Sequence, residues 1–355
     1  MNKKIENNPK LLEKKSINTL SRIFISSFLT ISFFYVLPVF INFFDKNFNN
    51  KEIANNSKKI LAYTLDTSKK QRNQNEAINE EDLLFDIFSL NDIESNTVRL
   101  SASTIKQLFE DTGYNLKDVR KKKLVKPIAL TLLPQEIKMI ESTKKRKDFF
   151  IQIILPLIIQ ENNNIKLDRQ TLFNIINKSN NSATEIQWLE KKYKQYGVKS
   201  NDLFTLKIRM DVIPVSLAIA QAAKETGWGT SRFAQEGNAL FGQWTWSGEG
   251  LKPKDAEKGD GHKVMKFNVL QASVRAYQRN LNTHSTYKDF RKARAEFRDL
   301  DKPLDSIELS KYLNKYAETG NQYVEVLKKI IQQNNLQDFD NAKLLPSSVD
   351  LESLI

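Results

Sequence analysis

Residues 23–44 read IFISSFLTISFFYVLPVFINFF, a run of 22 residues without a charge. Wound as a helix, such a run spans about 30 Å of hydrocarbon. Few core helices of soluble proteins are apolar all round over this length. Lys3, Lys4, Lys10, Lys14, Lys15 and Arg22 precede the run, against Glu6 and Glu13. Positive flanks stay cytoplasmic, so the C-terminal bulk is expected outside the cytoplasm. A cleavable signal peptide would have a shorter apolar core ending in small residues. Here the run ends in Asn42-Phe43-Phe44-Asp45. The reading is a basic cytoplasmic tail over 1–22 and a single-pass signal anchor in the inner membrane over 23–44.

The rest of the composition narrows the chemistry. Among 355 residues there is no cysteine, and His262 and His284 are the two histidines. That excludes a disulfide framework and thiolate metal sites, and it weakens a Ser-His-Asp reading. No metal and no cofactor is expected. The formal charge of +13 suits an anionic partner such as an anionic wall polymer, with a lysine-rich solvated surface as the plain alternative. No nucleic-acid motif accompanies the charge, so nucleic acid is not expected as a partner.

Along the chain, 45–81 is rich in Asn, Lys, Ser and Gln and reads as a flexible stalk. A small arm of unknown role is expected over 82–134, where Pro127 and Pro134 interrupt short apolar runs. The main domain is expected over 135–337, mainly helical, and a loose polar tail over 338–355. KDFFIQIILPLIIQENN reads as an apolar helix broken at Pro156, and TLFNIINKS and EIQWLEKKYKQYG carry helical spacing of their own. Pro214 suits the first turn of a further helix and Gly227 its end. HKVMKF alternates like a short strand. Leu270, Val274, Tyr277 and Leu281 then recur at helical spacing, and helices follow near 306–316 and 322–334.

Eight of the 11 glycines and three of the 4 tryptophans fall between Gly227 and Gly261. Glycines let backbone approach a ligand closely, and tryptophan faces stack on sugar rings. A tight turn over a tryptophan-filled core is the plain alternative. Glu225 stands at the entrance of this window, in the last turn of the expected helix. The negative helix end and the nearby Trp228 both favour the neutral carboxyl, as a general acid requires. Most glutamates at helix ends are only solvated surface groups, and the flanking window is what separates this one from them.

The stretch QAAKETGWGTSRFAQEGNALFGQWTW closely resembles the signature of the glycoside hydrolase family 73 endo-β-N-acetylglucosaminidases, in particular their Bax-type subgroup. The resemblance runs from about Val98 to Leu336. It implies a lysozyme-like helical domain with a small β-lobe, an α+β fold that is mainly α. It also implies hydrolysis of the β-1,4 bond after N-acetylglucosamine in peptidoglycan glycan strands. Glu225 then matches the general acid. Asn238, Leu240, Phe241 and Gly242 match an N-L-F-G loop, with Ala239 between the first two. The resemblance places substrate contacts at Trp228, Asn238, Phe241, Gln243, Trp244 and Trp246, of which core packing claims at least one.

Glycoside hydrolysis usually needs a second carboxylate, or the substrate's own acetamido group. In the family the second acid lies ahead of the strand matching HKVMKF, which here leaves Glu249, Asp255, Glu257 and Asp260, with Asp255 first and Glu257 next. Tyr316 resembles a family tyrosine that faces the groove, with Tyr323 as its alternative. Two further readings stand beside the hydrolase: a lytic transglycosylase, and a non-catalytic wall-binding scaffold.

Overall fold

The computed structural model describes residues 87, 98–245, 250–252 and 263–346. All of them fall within one unit, Asn75–Ile355. The signal anchor, the stalk and Asp255, Glu257 and Trp246 lie outside the described residues. Among those described, no helix is long and apolar enough to cross a membrane.

Eleven helices and two small sheets make up this part of the chain, so it is mainly α. The helices are α1 (Ala102–Asp111), α2 (Leu116–Lys122), α3 (Thr143–Ile176), α4 (Ala183–Gln195), α5 (Leu203–Arg209) and α6 (Val215–Thr226). They continue with α7 (Arg232–Gly237), α8 (Leu270–Thr283), α9 (Lys288–Asp299), α10 (Ser306–Ser310) and α11 (Asn321–Gln333). Most starts are capped as the sequence dictates. Ser101, Asn115, Ser142, Ser182 and Asp202 each accept a backbone N–H of the first turn, and Ser182 and Glu185 form a reciprocal capping box.

Helix α6 is the hub. It packs against α3, α10, α11 and the 3-10 turn at Leu336–Phe339. Every residue from Val215 to Ala223 is buried, and the alanines at 218, 220, 222 and 223 let the neighbouring helices come close. Its approach is fixed from α9. The fully buried Arg294 donates to the carbonyls of Ile208, Asp211 and Val212 and to Asn282 Oδ1. Burial by itself would raise the Asp211 pKa, but Arg169, Arg294 and Arg298 hold it down at about 2. The segment leading into α6 is thus a charged knot rather than a loose linker.

Helix α3 corrects the expected break at Pro156. It runs through the proline for 34 residues and takes in the separate helix expected at TLFNIINKS. A helical proline removes its own N–H and leaves the carbonyl four residues back unpaired. Here that carbonyl is Gln152's, and it accepts the Tyr114 hydroxyl at 3.1 Å, while Gln152 Nε2 donates to the Tyr114 carbonyl at 2.8 Å. A residue from the expected arm therefore repairs the helix.

The described residues of the arm and the tail pack against the same core. Ala102, Ile105, Phe109, Tyr114 and Leu133 share the main core with α3 and α6, so packing shows no boundary at 135. Leu270, the first residue of α8, donates its N–H to Thr131 O at 2.8 Å. In the expected loose tail Phe339 is fully buried. Strand β5 (Lys343–Leu344) pairs in parallel with β1 (Leu124–Val125). Local spacing in either region does not show what it packs against, and both gain order by covering the core of other elements.

The second sheet is a three-stranded antiparallel lobe in the order β2 (Trp244–Thr245), β4 (Lys263–Met265), β3 (Gly250–Leu251). Its register pairs Trp244 with Val264 and Gly250 with Met265.

Candidate active site

The chain makes an unusual turn at the end of α6. Gly227, Trp228 and Gly229 follow one another with φ of 57°, 62° and 83°, all left-handed. Glycine takes this region freely and tryptophan does not. A Cβ on Gly229 would lie 2.9 Å from the Phe150 ring, so that position has no room for one. Thr226 ties the turn, donating to Ala222 O and accepting from Gly229 N. Trp228 packs edge-on against Phe150 at 6.1 Å with Lys147 over its ring.

Glu225 sits one residue before that helix end and is partly buried. Burial pushes its pKa up, while a hydrogen bond from Tyr323 and the charge of Lys224 pull it down, and the net direction is upward. Besides Lys224, the ionisable groups that feel its charge are tyrosines. Tyr323 comes from α11, Tyr316 from the turn before it, and Tyr287 from the 3-10 turn after α8. Burial raises all three phenols, Tyr287 to about 12, so each stays protonated and can donate.

The loop after α7 closes over the acid. Asn238 caps α7 in the left-handed region, and its Nδ2 donates to Phe267 O at 2.8 Å, pinning the loop to the chain that leaves β4. Leu240 N donates to Ser273 Oγ on α8. Phe241, expected in the groove wall, is buried instead and stacks on Tyr277 at 3.8 Å. Phe241 therefore belongs to the core, as a large flat ring between α8 and α6 must. Gly242 follows with φ of 62°, and a Cβ there would stand 3.3 Å from Glu225 Oε2. Gln243 receives Met265 N on its carbonyl and so joins the loop to the lobe. The side-chain oxygens of Asn238 and Gln243 are buried with no hydrogen-bond partner among the described residues.

Of the residues read from the sequence, the structure brings Glu225, Asn238, Phe241, Gln243 and Tyr316 into this one region. It places Trp228 on the Phe150 side and Trp244 on strand β2. Tyr316 donates to Phe241 O at 2.9 Å, so its hydroxyl holds the loop, while the Tyr323 hydroxyl accepts from Gln221 Nε2. Two participants carried no signal of their own. Gln221 lies one helical turn before Glu225, and Tyr277 is one apolar position in the α8 stripe. Tyr277 donates to Gln221 Oε1 at 2.7 Å, and Gln221 Nε2 donates to Tyr323 Oη at 3.1 Å. Among the described residues no cluster of metal-ligating side chains occurs.

The acid thus stands at a helix end, under a glycine-containing loop that leads into a small antiparallel lobe. Residues 200–336 match a family model described as mannosyl-glycoprotein endo-beta-N-acetylglucosaminidase. The chain is also 32% identical over 205 residues to Protein bax of Escherichia coli (strain K12), covering 56% of this chain and 73% of that one. The chain belongs to the glucosaminidase family, in its Bax-type branch. No solved structure matches it, so the likeness to lysozymes rests on the sequence resemblance.

Proposed function

We propose that the chain is a peptidoglycan hydrolase that cleaves the β-1,4 bond after N-acetylglucosamine, with Glu225 as its general acid. The observation that carries this reading is the carboxyl itself: partly buried, raised in pKa, and faced by a glycine that leaves its Oε2 uncrowded. Glu225 protonates the leaving glycosidic oxygen as the bond to the anomeric carbon breaks, and water adds to that carbon. The group that activates the water is Asp255 or Glu257, in the sequence between β3 and β4, or the substrate's acetamido oxygen. The orphaned oxygens of Asn238 and Gln243 suit sugar hydroxyl or amide N–H donors. Residues 23–44 anchor the chain in the inner membrane with the domain outside the cytoplasm, where the wall is.

The test is Glu225→Gln in the purified full chain on peptidoglycan, read by product masses. An amide cannot protonate the leaving oxygen, so the rate falls on the order of a thousandfold, and wild-type products carry an added water and reducing ends. Anhydro ends would make the enzyme a lytic transglycosylase. Unchanged peptidoglycan with retained binding would make it a wall-binding scaffold. A Glu225→Gln protein with a tenth of the wild-type rate would remove Glu225 from the acid's role.

A further inference from the structure

We propose that the cavity between α3, α4 and α8 is a second binding site, separate from the one at Glu225, and that it takes a single neutral sugar ring. This inference does not rest on the reading of Glu225 as the acid.

The cavity follows from helical spacing. Glu161, Asn164, Ile165 and Asp168 recur along one face of α3, and Arg275, Gln278, Arg279 and Asn282 along one face of α8. Lys192 of α4 and Tyr196, which caps that helix, close the third side. The space between them is about 190 Å³. A cavity of about 150 Å³ admits benzene, so this one has room for one six-membered ring and not for a chain of them. Among the described residues, its lining shares none with the loop and the tyrosines around Glu225. Tyr277, the neighbour of Gln278 on α8, turns to the core instead and stacks on Phe241.

Hydrogen-bond polarity gives the site its demand. Asn162 on α3 accepts the Ile213 N–H on Oδ1 at 3.2 Å and donates from Nδ2 to Ile213 O at 2.8 Å, so its amide has one orientation. Gln278 Nε2 donates to the same Asn162 Oδ1 at 3.0 Å. Turned over, the Gln278 amide would set one oxygen against another. Its Oε1 therefore faces away from Asn162, and it is buried with no donor among the described residues. Gln278 as a whole is 2% exposed, so bulk water does not relieve that oxygen. A ligand that brings an O–H or N–H hydrogen to it offsets the full cost of its desolvation.

Charge selects against ions. Arg275 donates to both oxygens of Glu161, at 3.0 and 2.8 Å, and Lys192 pairs with Asp168. Arg279 donates to Gln195 O at 2.7 Å and lies 4.9 Å from the centre of the Tyr196 ring. An entering ammonium would meet three cations, and an entering anion would meet two carboxylates. A neutral ligand suffers neither repulsion. Ile165 and Tyr196 add carbon surface to this otherwise polar wall. A pyranose ring answers each of these features: hydroxyl hydrogens for Gln278, carbon–hydrogen faces for the carbon surface, and no charge. The side chain of Asp168 is 27% exposed and marks the open side, where the rest of a sugar polymer can continue into solvent.

The experiment reads the cavity directly in the full chain. Ile165 lies in its wall, so the Ile165 δ1 methyl is followed by NMR in isoleucine-labelled protein, its signal assigned with Ile165→Val. N-acetylglucosamine and glucose are titrated separately. The methyl shifts saturably with at least one of them, with a Kd on the order of 1 mM for so small a ligand. Equal affinities make a ring hydroxyl the donor to Gln278, and tighter binding of N-acetylglucosamine makes it the acetamido N–H. Gln278→Met keeps the length of the side chain and removes the acceptor, while Asn162 Oδ1 retains the Ile213 N–H. Affinity then falls at least about threefold. Asn164→Trp, at a half-exposed position in the wall, fills the cavity and abolishes the shift, and it reads the site even if Gln278→Met does not fold. A methyl that stays unmoved in saturating sugar would mean a cavity that holds water alone and would overturn the proposal. So would a stronger response to inorganic phosphate than to either sugar, or a sugar response that survives both variants. The response persists in Glu225→Gln; its loss there would make the shift an effect relayed from the acid's groove and sink the second site.

Discussion

Gly242 is the residue whose side chain matters by its absence. Its φ of 62° lies where an L-residue is strained, and a Cβ would press on Glu225 Oε2 from 3.3 Å. Alanine there costs stability twice over, by about 1–2 kcal/mol for the backbone alone. It also displaces either the carboxyl or the loop. The expected outcome for Gly242→Ala is a modest drop in melting temperature with a far larger loss of kcat, at least tenfold. Losses of rate and stability in simple proportion would mean that the loop, not the acid, absorbs the added carbon. At this scale the sequence was readable where chemistry is local. Glu225, the helix end at Gly227 and the backbone-pinning amide of Asn238 follow from residue type and spacing, and each stands where that reading puts it. The bond from Gln221 to Tyr323 was not readable in that way, because it joins positions 102 residues apart whose meeting depends on how α11 crosses α6.

Periodicity carries the elements as far as single helices go. Leu270, Val274, Tyr277 and Leu281 all end fully buried on α8, as their spacing requires. Pro156 is where local reasoning fails, because the repair comes from Tyr114, 42 residues earlier in the chain. This repair is testable as a cycle. Tyr114→Phe leaves the Gln152 carbonyl buried without a donor and is expected to cost about 1–3 kcal/mol. Pro156→Ala restores a backbone N–H four residues on, which can satisfy that carbonyl within the helix. In the Pro156→Ala background Tyr114→Phe should therefore cost distinctly less, a coupling read from denaturant midpoints of the four proteins. Purely additive changes would show that the phenol serves packing alone.

For the molecule as a whole, the chain's late segment returns to hold the hub. Asp340 accepts both the N–H and the hydroxyl of Ser216 at 2.8 Å, satisfying the first turn of α6, the helix that carries Glu225. No composition rule marks this acid, which lies in a polar stretch that reads as a loose tail. Burial and the neighbouring Asp305 nevertheless outweigh the Ser216 bonds and raise its pKa from 3.8 to about 6. A carboxyl whose folded pKa is raised binds its proton more tightly in the fold than in the unfolded chain. Its contribution to stability is fully present below about pH 4 and is lost as pH rises through about 6. Asp340→Asn keeps an acceptor for the Ser216 N–H and removes the titration. Relative to wild type, the asparagine protein should therefore gain stability as pH rises from 4 to 7, on the order of 1–2 kcal/mol across that window. Urea midpoints for both proteins at each pH measure the difference. A constant gap between the two curves would mean that Asp340 titrates normally and acts through its hydrogen bonds to Ser216 alone. A gap that opens between pH 4 and 7 would place the charge of one late residue in direct control of the helix that carries the acid.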